Sequence, residues 1–567
     1  MSAQHTPVHA ASPERANPKR AWWKEAVVYQ IYPRSFMDSN GDGIGDLKGI
    51  TSKLDYLDDL GVNVLWLCPI FPSPNDDNGY DISDYQGIMA EFGTMEDFDE
   101  LLAQAHARGI KILLDLVINH SSDEHAWFQE SRSSKDNPKR DWYIWRPGKN
   151  GGPPNNWESI FTEPAWEYDE QTGEYFLHVF SRKQPDLNWD NLDMRAAVYD
   201  MVRWWLDKGV DGFRIDAITH IKKTPGLPDL PNPEGMIAVP SHDHHRNVSG
   251  IHEYIADLCD NTFAHYDIMT VGEANGVTVD EAPLWVGEDQ HKFNMLFQFE
   301  QLKLWGSEAD AGLNLPELKR TLTRWQKGLE GKGWNALFLE NHDLARIVST
   351  WGDDQGYRYE SSTALATLYF LMQGTPFIYQ GQELGMTNYP FQHLHEFDDV
   401  AVKNLTAKQR AHGWTDHDIL HSIKDSARDN SRTPMQWDDS PHAGFTTGTP
   451  WLAVNPNHTT INVAQQADDP QSVLNYYKQM IQLRKEHDVL VYGTYDLILD
   501  DHPQVYAYTR TLNEQKVWVL CNLSGQNADL GDMGSNSSGT LLLGNYPTAG
   551  QNTELRPWEA RVMIGSL

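Results

Sequence analysis

Short apolar runs rich in β-branched and aromatic residues alternate with longer segments of helical period from Trp22 onward, and this alternation constrains the fold more than any other feature. Parallel strands crossed by helices give this pattern. The chain contains eight such runs, at residues 27–33, 62–69, 111–117, 212–216, 268–274, 293–299, 336–342 and 376–381. Eight strands in this alternation predict an α/β fold, a closed (β/α)8 TIM barrel whose strands end at one common mouth.

Two segments depart from the alternation. Residues 121–190, after the third run, are rich in Trp, Pro, Gly and Asn and predict a small inserted domain. Residues 491–567 contain short alternating runs separated by Gly, Asn and Asp, which predict a C-terminal all-β sandwich domain. The catalytic barrel is then expected over 21–120 and 191–490.

The first twenty residues and the overall composition limit the location and the partners. Residues 1–20 are polar, contain Pro and include no apolar stretch, so a flexible tail is expected and neither a signal peptide nor a membrane span. The net charge of −34 disfavours nucleic acid and anionic membrane surfaces as partners. Three widely spaced cysteines, Cys68, Cys259 and Cys521, are typical of buried thiols in a reducing compartment, which predicts a cytoplasmic protein.

Charged and polar residues end several of the apolar runs. Side chains at the carboxyl ends of barrel strands converge on one mouth. The residues at these ends are Asp115, Asn119, His120, Arg214, Asp216, Glu273, His342 and Asp343. A single Asp in such a place is as readily the N-cap of the next helix. So many buried charges on one rim need partners or a function, and the set predicts a catalytic site.

The order of these motifs resembles a known family. DLVINH, GFRIDAITH, VGEANG and FLENHD, on the third, fourth, fifth and seventh strands, resemble the conserved regions of the alpha-amylase clan of glycoside hydrolases. QPDLNWD (184–190) and RDNSRTPMQWD (428–438) resemble its oligo-1,6-glucosidase and alpha-glucosidase subfamily. The resemblance implies a retaining, exo-acting α-glucosidase that releases glucose from the non-reducing end of short oligosaccharides of the maltose and isomaltose type.

By the same resemblance, three carboxylates are catalytic. Asp216 matches the nucleophile and Glu273 the acid/base, two roles whose carboxyl groups lie roughly 5 to 5.5 Å apart in retaining enzymes. Asp343 matches the third carboxylate, which grips the sugar 2- and 3-hydroxyls.

Substrate binding is assigned by resemblance to seven further residues. Arg214 is expected to keep the nucleophile ionised, Tyr80 to stack on the sugar, and Asp77 to bind the terminal 4-hydroxyl. Arg432 is expected to pair with Asp77 across the pocket floor, a salt bridge that would stop longer chains from threading through. The full set is Asp77, Tyr80, His120, Phe180, Arg214, His342 and Arg432.

The loop DSNGDGIGD has the spacing of a calcium site. Its candidate ligands, at positions one, three, five, seven and nine, are Asp38, Asn40, Asp42, the Ile44 carbonyl and Asp46. Gly49 stands where an EF-hand has a bidentate Glu, and the alternative interpretation is a solvated Asx turn. Resemblance to a subfamily calcium site favours a structural Ca²⁺; no organic cofactor is expected.

Linkage and reaction outcome are left open by the sequence. Ala217 follows the nucleophile where 1,6-specific relatives commonly carry Val, which favours α-1,4 links with 1,6 activity still open. Related sucrose isomerases carry an Arg- and Asp-rich segment where this chain reads FQFEQLKLW, so isomerisation is disfavoured, while transglucosylation and trehalose-type substrates stay open. A non-catalytic amylase-like binding protein would be expected to have lost the carboxylates. A monomer or a homodimer is expected.

Overall fold

The computed structural model describes residues 19–304, 313–531, 539–547 and 553–566. All but the last two residues of the predicted tail lie outside these ranges. The strands of the described residues are β1 (Val28–Ile31), β2 (Val64–Leu67), β3 (Lys111–Val117), β4 (Trp145–Arg146), β5 (Trp157–Glu158), β6 (Trp166–Asp169), β7 (Glu174–Leu177), β8 (Gly212–Asp216), β9 (Val239–Pro240), β10 (Met269–Glu273), β11 (Met295–Phe297), β12 (Ala336–Leu337), β13 (Thr375–Tyr379), β14 (Thr494–Ile498), β15 (Val505–Leu512), β16 (Gln515–Asn522), β17 (Ala528–Asp529), β18 (Thr540–Gly544), β19 (Glu554–Leu555) and β20 (Ala560–Ser566).

The helices alternate with the barrel strands as the sequence predicts. They are α1 (Trp22–Glu25), α2 (Leu47–Ser52), α3 (Leu54–Leu60), α4 (Met95–Ala107), α5 (Ala126–Ser133), α6 (Leu192–Lys208), α7 (Ile251–Asn261), α8 (Ala282–Val286), α9 (Leu315–Leu329), α10 (Ile347–Thr350), α11 (Arg358–Phe370), α12 (Val400–Ala411), α13 (Asp416–Ile423), α14 (Asp429–Arg432), α15 (Val463–Ala467), α16 (Val473–Glu486) and α17 (Asp488–Tyr492). Within the described ranges, no helix combines the length and the apolar character that a bilayer span requires.

Eight parallel strands form the barrel, in the order β11, β10, β8, β3, β2, β1, β13, β12. The first and last of these strands meet at one parallel bridge between Leu296 and Asn335. The predicted (β/α)8 barrel is therefore confirmed, and each of the eight predicted runs overlaps one of its strands. The seventh is much shorter than predicted, because the chain after Leu337 leaves the ladder and Glu340 instead accepts the Ile347 N–H at the start of α10.

Alternation along the strands sorts side chains between two cores. In β3, Ile112 and Leu114 belong to the large core shared with the surrounding helices, whereas Leu113 belongs to the core inside the barrel. Asp115 lies two residues after Leu113 and so on the same inward face. The two-residue alternation that buries the side chains of β3 therefore also places the Asp115 carboxylate inside the barrel mouth.

The chain between β3 and α6 forms a small antiparallel sheet with strand order β4, β7, β6. It encloses a separate core that includes Trp157, Trp166 and Val179. Beyond α17, a five-stranded antiparallel sheet (β14, β15, β16, β20, β18) and the pair β17 and β19 form the C-terminal domain that the sequence predicts.

A buried arginine fastens the C-terminal sheet to the barrel. Arg510 of β15 donates to the carbonyls of Leu371, Leu490, Val491 and Gly493. Burial lowers the pKa of Arg510 to about 10. One rigid guanidinium thus donates five hydrogen bonds to main-chain oxygens, which join β15 to the chain after α11 and to α17.

Candidate active site

Strand register places the two principal carboxylates side by side. In the ladder between β8 and β10, Arg214 pairs with Val271, and in the ladder between β3 and β8 it pairs with Asp115. Asp216 lies two residues after Arg214, and Glu273 two residues after Val271. Both carboxylates therefore face inward at the same level of the mouth, one strand apart.

Arg214 joins three carboxylates at the centre of the site. Its Nη1 donates to Asp115 Oδ1 over 2.8 Å and to Asp216 Oδ1 over 2.6 Å, while Nη2 donates to Glu273 Oε2 over 2.9 Å. The residue is 2% exposed. Because one planar guanidinium donates to both Asp216 and Glu273, it fixes the orientation of one carboxylate relative to the other.

The charge balance of this cluster favours one retained proton. Burial raises the pKa of Asp216, Arg214 opposes that rise, and the neighbouring charges of Glu273 and Asp115 add to it. Three carboxylates against one guanidinium leave an excess negative charge in a buried place, which a proton relieves.

The Ala217 main chain contacts one oxygen of Glu273. Its N–H donates to Glu273 Oε2 over 2.8 Å, so Oε2 accepts two N–H donors, counting Arg214. Oε1 accepts neither of these donors. Ala217 reaches this contact in the left-handed region, at φ +44° and ψ +30°, a conformation that costs a residue with a Cβ atom about 1 to 2 kcal/mol.

Asp343 is the most exposed of the three predicted catalytic carboxylates, with 36% of its side chain accessible. It lies 3.2 Å from His342 Nε2, 3.3 Å from Arg428 Nη1 and 2.9 Å from Arg432 Nη2. Burial alone would raise the pKa of Asp343, but His342 and the two arginines outweigh it and hold the pKa below its usual range. The carboxylate is thus anionic across the neutral range.

The predicted pairing of Arg432 with Asp77 is wrong. Arg428 pairs with Asp77, over 3.1 Å from Nη2 to Oδ1, whereas Arg432 donates to Asp343 and, from Nε, to the His342 carbonyl over 2.8 Å. Arg428 is the N-cap of α14 and Arg432 is its last residue. Residues four apart project from the same side of a helix, so both arginines reach the pocket, and the sequence alone does not decide which carboxylate each one meets.

Tyr80, which is predicted to stack on the sugar, lies beside the carboxylates. Its ring stacks on the His342 ring, with centroids 5.2 Å apart and planes 7° apart. The Tyr80 hydroxyl donates to Asp115 Oδ2 over 2.9 Å. One face of the tyrosine is therefore covered by His342.

His120 and Phe180 line the side of the inserted domain. Their rings lie 5.0 Å apart, and His120 Nε2 lies 3.1 Å from the Tyr80 carbonyl. Burial lowers the pKa of His120 and of His342 to about 3, so both rings are neutral near pH 7. Neutral imidazoles suit hydrogen bonding to hydroxyl groups better than charge pairing.

The sequence assigned no role to several residues that the structure places in or beside the site. Asp115 was recognised only as a strand-end carboxylate, yet it holds Arg214. Gln184, inside the QPDLNWD motif, lies within 3.2 Å of both Asp77 Oδ2 and His120 Nε2. Lys223 and Asp186 form a buried ion pair between the inserted domain and the segment after β8. The QPDLNWD motif could have identified Gln184 from the sequence, whereas a single lysine after a strand gives no such signal for Lys223.

The loop that is predicted to bind calcium is closed by hydrogen bonds, most of them within the loop. Asp38 accepts the N–H groups of Asn40, Gly41 and Gly43 at 2.8 to 2.9 Å and the Thr446 hydroxyl over 2.5 Å. Asp46 likewise accepts the N–H groups of residues 39 and 49. Three carboxylates, an amide and a carbonyl are hard oxygen donors that suit calcium, but in the part of the chain that the structure describes no group of three or more His, Cys, Asp or Glu is arranged to hold a metal. Calcium stays a prediction.

Known proteins match almost the whole chain. The alpha-amylase catalytic domain family matches residues 30–493. A protein of Bacillus subtilis (strain 168) named probable oligo-1,6-glucosidase 3 is 55% identical over 551 residues, covering 96% of this chain and 100% of that protein. The oligo-1,6-glucosidase of Halalkalibacterium halodurans is 54% identical over 557 residues, covering 96% and 99%.

Solved structures agree on the fold. A mutant isomaltulose synthase from Erwinia rhapontici NX5, in complex with its natural substrate sucrose, superposes with a TM-score of 0.91 at 43% identity. The match covers 97% of this chain and 100% of that one.

Proposed function

Because this chain belongs to the alpha-amylase family and is an α-glucosidase, we propose that it releases single glucose units from the non-reducing end of short α-glucosides, with retention of anomeric configuration. The observation that carries the proposal is the single guanidinium of Arg214, which holds Asp216 and Glu273 at one level of the barrel mouth. A double displacement needs two carboxyl groups close together beside the scissile bond, and the shared guanidinium supports that arrangement.

In the first displacement, Asp216 attacks the anomeric carbon while Glu273 protonates the departing glycosidic oxygen. Oε1 of Glu273 is the oxygen from which this proton would come, since Oε2 accepts Arg214 and the Ala217 N–H. The anomeric carbon passes from the aglycone oxygen to the Asp216 carboxylate, and the leaving group departs as an alcohol.

In the second displacement, water attacks the glucosyl ester and gives its proton to Glu273, now the base. The Asp216 carboxylate is released and Glu273 is protonated again, so the site returns to its first state. Two inversions at one carbon give net retention.

Asp343 stabilises the sugar ring as positive charge develops. Its carboxylate stays ionised beside Arg428 and Arg432, and an anion near an oxocarbenium-like ring is worth most where water is excluded. Hydrogen bonds from this group to the 2- and 3-hydroxyls would strengthen in the transition state.

The floor of the pocket supports exo action. Asp77 is buried and tied to Arg428 and Gln184, which leaves a closed end that carries hydrogen-bonding groups for a terminal sugar. A chain that cannot pass this floor is cut one residue from its end.

Linkage preference rests on two opposing considerations. The names of the curated relatives favour α-1,6 links, whereas Ala217, smaller than the Val of many 1,6-specific enzymes, leaves room for α-1,4 links. A methyl-scale difference is worth only about 1 to 3 kcal/mol. We therefore expect isomaltose to be the better substrate and maltose to be accepted.

Two features outside the pocket belong to the same proposal. A calcium ion bound by Asp38, Asn40, Asp42, the Ile44 carbonyl and Asp46 would have a structural role, cross-linking the loop after β1. The three cysteines are buried and unpaired, which supports a reducing, cytoplasmic location. A monomer or homodimer acting on a small oligosaccharide, without nucleic acid or membrane partners, is proposed.

Separate incubation with isomaltose, maltose, sucrose and trehalose, followed by chromatography and by NMR of the newly released anomer, tests the proposal. Glucose released first as the α-anomer is the expected result. Release as the β-anomer would refute the double displacement. Isomaltulose or trehalulose formed from sucrose would instead favour the isomerase activity named for the structural neighbours.

A further inference from the structure

We infer that Asp399, outside the barrel, is a positioning residue that fixes Arg428 between Asp77 and Asp343 and so determines that the sugar pocket is closed at one end. The inference rests on the proposed exo-glucosidase function and deepens it. Asp399 contacts neither reacting carboxylate in the structure; it acts through the arginine.

The contact between Asp399 and Arg428 is a bidentate fork. Arg428 Nε donates to Asp399 Oδ2 over 2.9 Å and Nη2 to Oδ1 over 2.5 Å. Asp399 is 1% exposed. Such a fork fixes the plane of a guanidinium as well as its position. With that plane fixed, Nη2 also reaches Asp77 and Nη1 reaches Asp343.

Without the bidentate contact to Asp399, Arg428 would be left with two weaker carboxylate contacts, Asp77 at 3.1 Å and Asp343 at 3.3 Å. Both distances are longer than those to Asp399. The arginine is therefore anchored from outside the pocket, and its contacts to the two sugar-binding carboxylates depend on that anchor.

Asp399 is itself held by two further hydrogen bonds, one through its side chain and one through its main-chain N–H. Its Oδ1 accepts the Ala401 N–H over 2.8 Å, which makes it the N-cap of α12. Its own N–H donates to Asp429 Oδ2 over 3.2 Å, and Asp429 directly follows Arg428. The start of α12 and the start of α14 are thus joined at one point.

Helix α12 also reaches the inserted domain. Asn404 donates to the Phe161 carbonyl over 3.4 Å, and Lys408 pairs with Glu158 over 2.8 Å. The Arg428 guanidinium lies 5.4 Å from the Phe161 ring centroid. Arg428 is consequently surrounded by the barrel, α12 and the inserted domain. Its bidentate partner there is Asp399.

The substitution Asp399→Asn separates this role from helix capping. Asn retains an acceptor for the Ala401 N–H and is as good an N-cap as Asp, but it brings no charge to Arg428. Asp416→Asn is the control, because Asp416 forms a bidentate pair with Arg410 (2.8 and 2.9 Å) that joins α12 to α13. Within the part of the chain that the structure describes, this exposed pair contacts none of the pocket residues named above.

The experiment compares wild type, D399N and D416N by steady-state kinetics on isomaltose and by product analysis on maltotriose and isomaltotriose labelled at the reducing end. We expect KM to rise at least about tenfold in D399N with kcat within about threefold of wild type. Wild type should leave the label on the disaccharide, whereas D399N should also release labelled monosaccharide together with unlabelled disaccharide. D416N should match wild type in both. A purely structural role would lower the melting temperature and the amount of active enzyme without moving KM.

A D399N enzyme with wild-type KM and with the label confined to the disaccharide among the first products would overturn the inference. If D399N does not fold, Asp399→Ser, which keeps a capping hydroxyl, is measured in the same way. If the wild-type enzyme itself releases no glucose from any α-glucoside, it is the proposed function that fails, and the two failures are distinguishable.

Discussion

Asp115 and Asp216, on neighbouring strands, accept hydrogen bonds from the same nitrogen, Nη1 of Arg214, over 2.8 and 2.6 Å. The carboxylate that is proposed to attack the sugar therefore shares its counter-ion with one that does not. Asp115 is fully buried beneath the site, where Trp66 and Tyr80 also donate to it. The pKa of Asp216 therefore depends on how strongly Arg214 is also paired with Asp115.

Replacing Asp115 with Asn should move the acidic limb of the pH profile of kcat/KM to lower pH. Burial is the main cause of the raised pKa of Asp216, and the charge of Asp115 adds to it. Removing that charge, and freeing Arg214 for Asp216, lowers the pKa of the nucleophile. The limb that reports its ionisation in the free enzyme should shift accordingly. An unchanged or upward-shifted limb would contradict this account of the cluster.

The amide variants Asp216→Asn and Glu273→Gln should each lose several orders of magnitude in kcat. Each removes a group that forms or breaks a bond in the double displacement, and neither changes the volume of the site. Circular dichroism and the melting temperature should stay close to wild type, which separates lost chemistry from lost folding. Turnover near the wild-type value in either variant would exclude the assigned role.

The substitution Ala217→Val should raise the ratio of isomaltose to maltose activity. The added methyl groups narrow the space beside the scissile bond, and the change is limited to about 1 to 3 kcal/mol of discrimination, or up to roughly 200-fold. A β-branched residue at a φ of +44° also strains the backbone, so a lower melting temperature should accompany the change. Ala217→Gly, which relieves that strain, is the comparison; equal ratios in both variants would refute the steric argument.

The buried ring of His178 should make stability fall in acid. Burial lowers the pKa of His178 from 6.5 to about 4. Between these pH values the unfolded chain binds a proton that the folded chain does not. The stability that the neutral ring contributes is therefore fully present above pH 6.5 and is lost as the pH falls toward 4, by about 1.36 kcal/mol per pH unit.

His178→Asn keeps a donor for the Phe180 carbonyl, which His178 Nδ1 meets over 3.0 Å, and removes the titration. Urea midpoints measured at pH 7 and pH 5 should differ less in this variant than in wild type. His421→Gln, at an exposed position of α13, should leave the wild-type difference unchanged. A variant with the same acid loss as wild type would show that the ring is not responsible.

Calcium should raise the melting temperature if the loop of residues 38–46 binds it. A ligand present at 100 times its Kd stabilises the folded state by about 2.7 kcal/mol. Melting curves with EDTA and with added calcium measure the effect, and Asp42→Asn, at an exposed position of the loop, should reduce it. Identical curves with and without calcium would mean that the hydrogen bonds of Asp38 and Asp46 suffice to close the loop.

The sequence predicted the features that depend on local period and on ordered motifs. All eight barrel strands follow from β-rich apolar runs, and Asp216 and Glu273 from their places at strand ends. The sequence could not show which carboxylate Arg428 and Arg432 each contact. The two arginines lie one helical turn apart, and the choice of partner depends on distances in the folded protein. Asp399 gave no signal at all, since its partner lies 29 positions away and an Asp before a helix is expected as a cap.

The single bridge between Leu296 and Asn335 has a mechanical consequence. Every other neighbouring pair of barrel strands shares two to four paired positions, so the seam between β11 and β12 has the fewest main-chain pairs. The rings of Phe297 and Phe338 pack beside it, with centroids 5.1 Å apart. We expect opening motions of the barrel to begin at that seam, because few main-chain hydrogen bonds cross it. The ladder between β3 and β8, which carries Asp115 and Arg214, lies away from it.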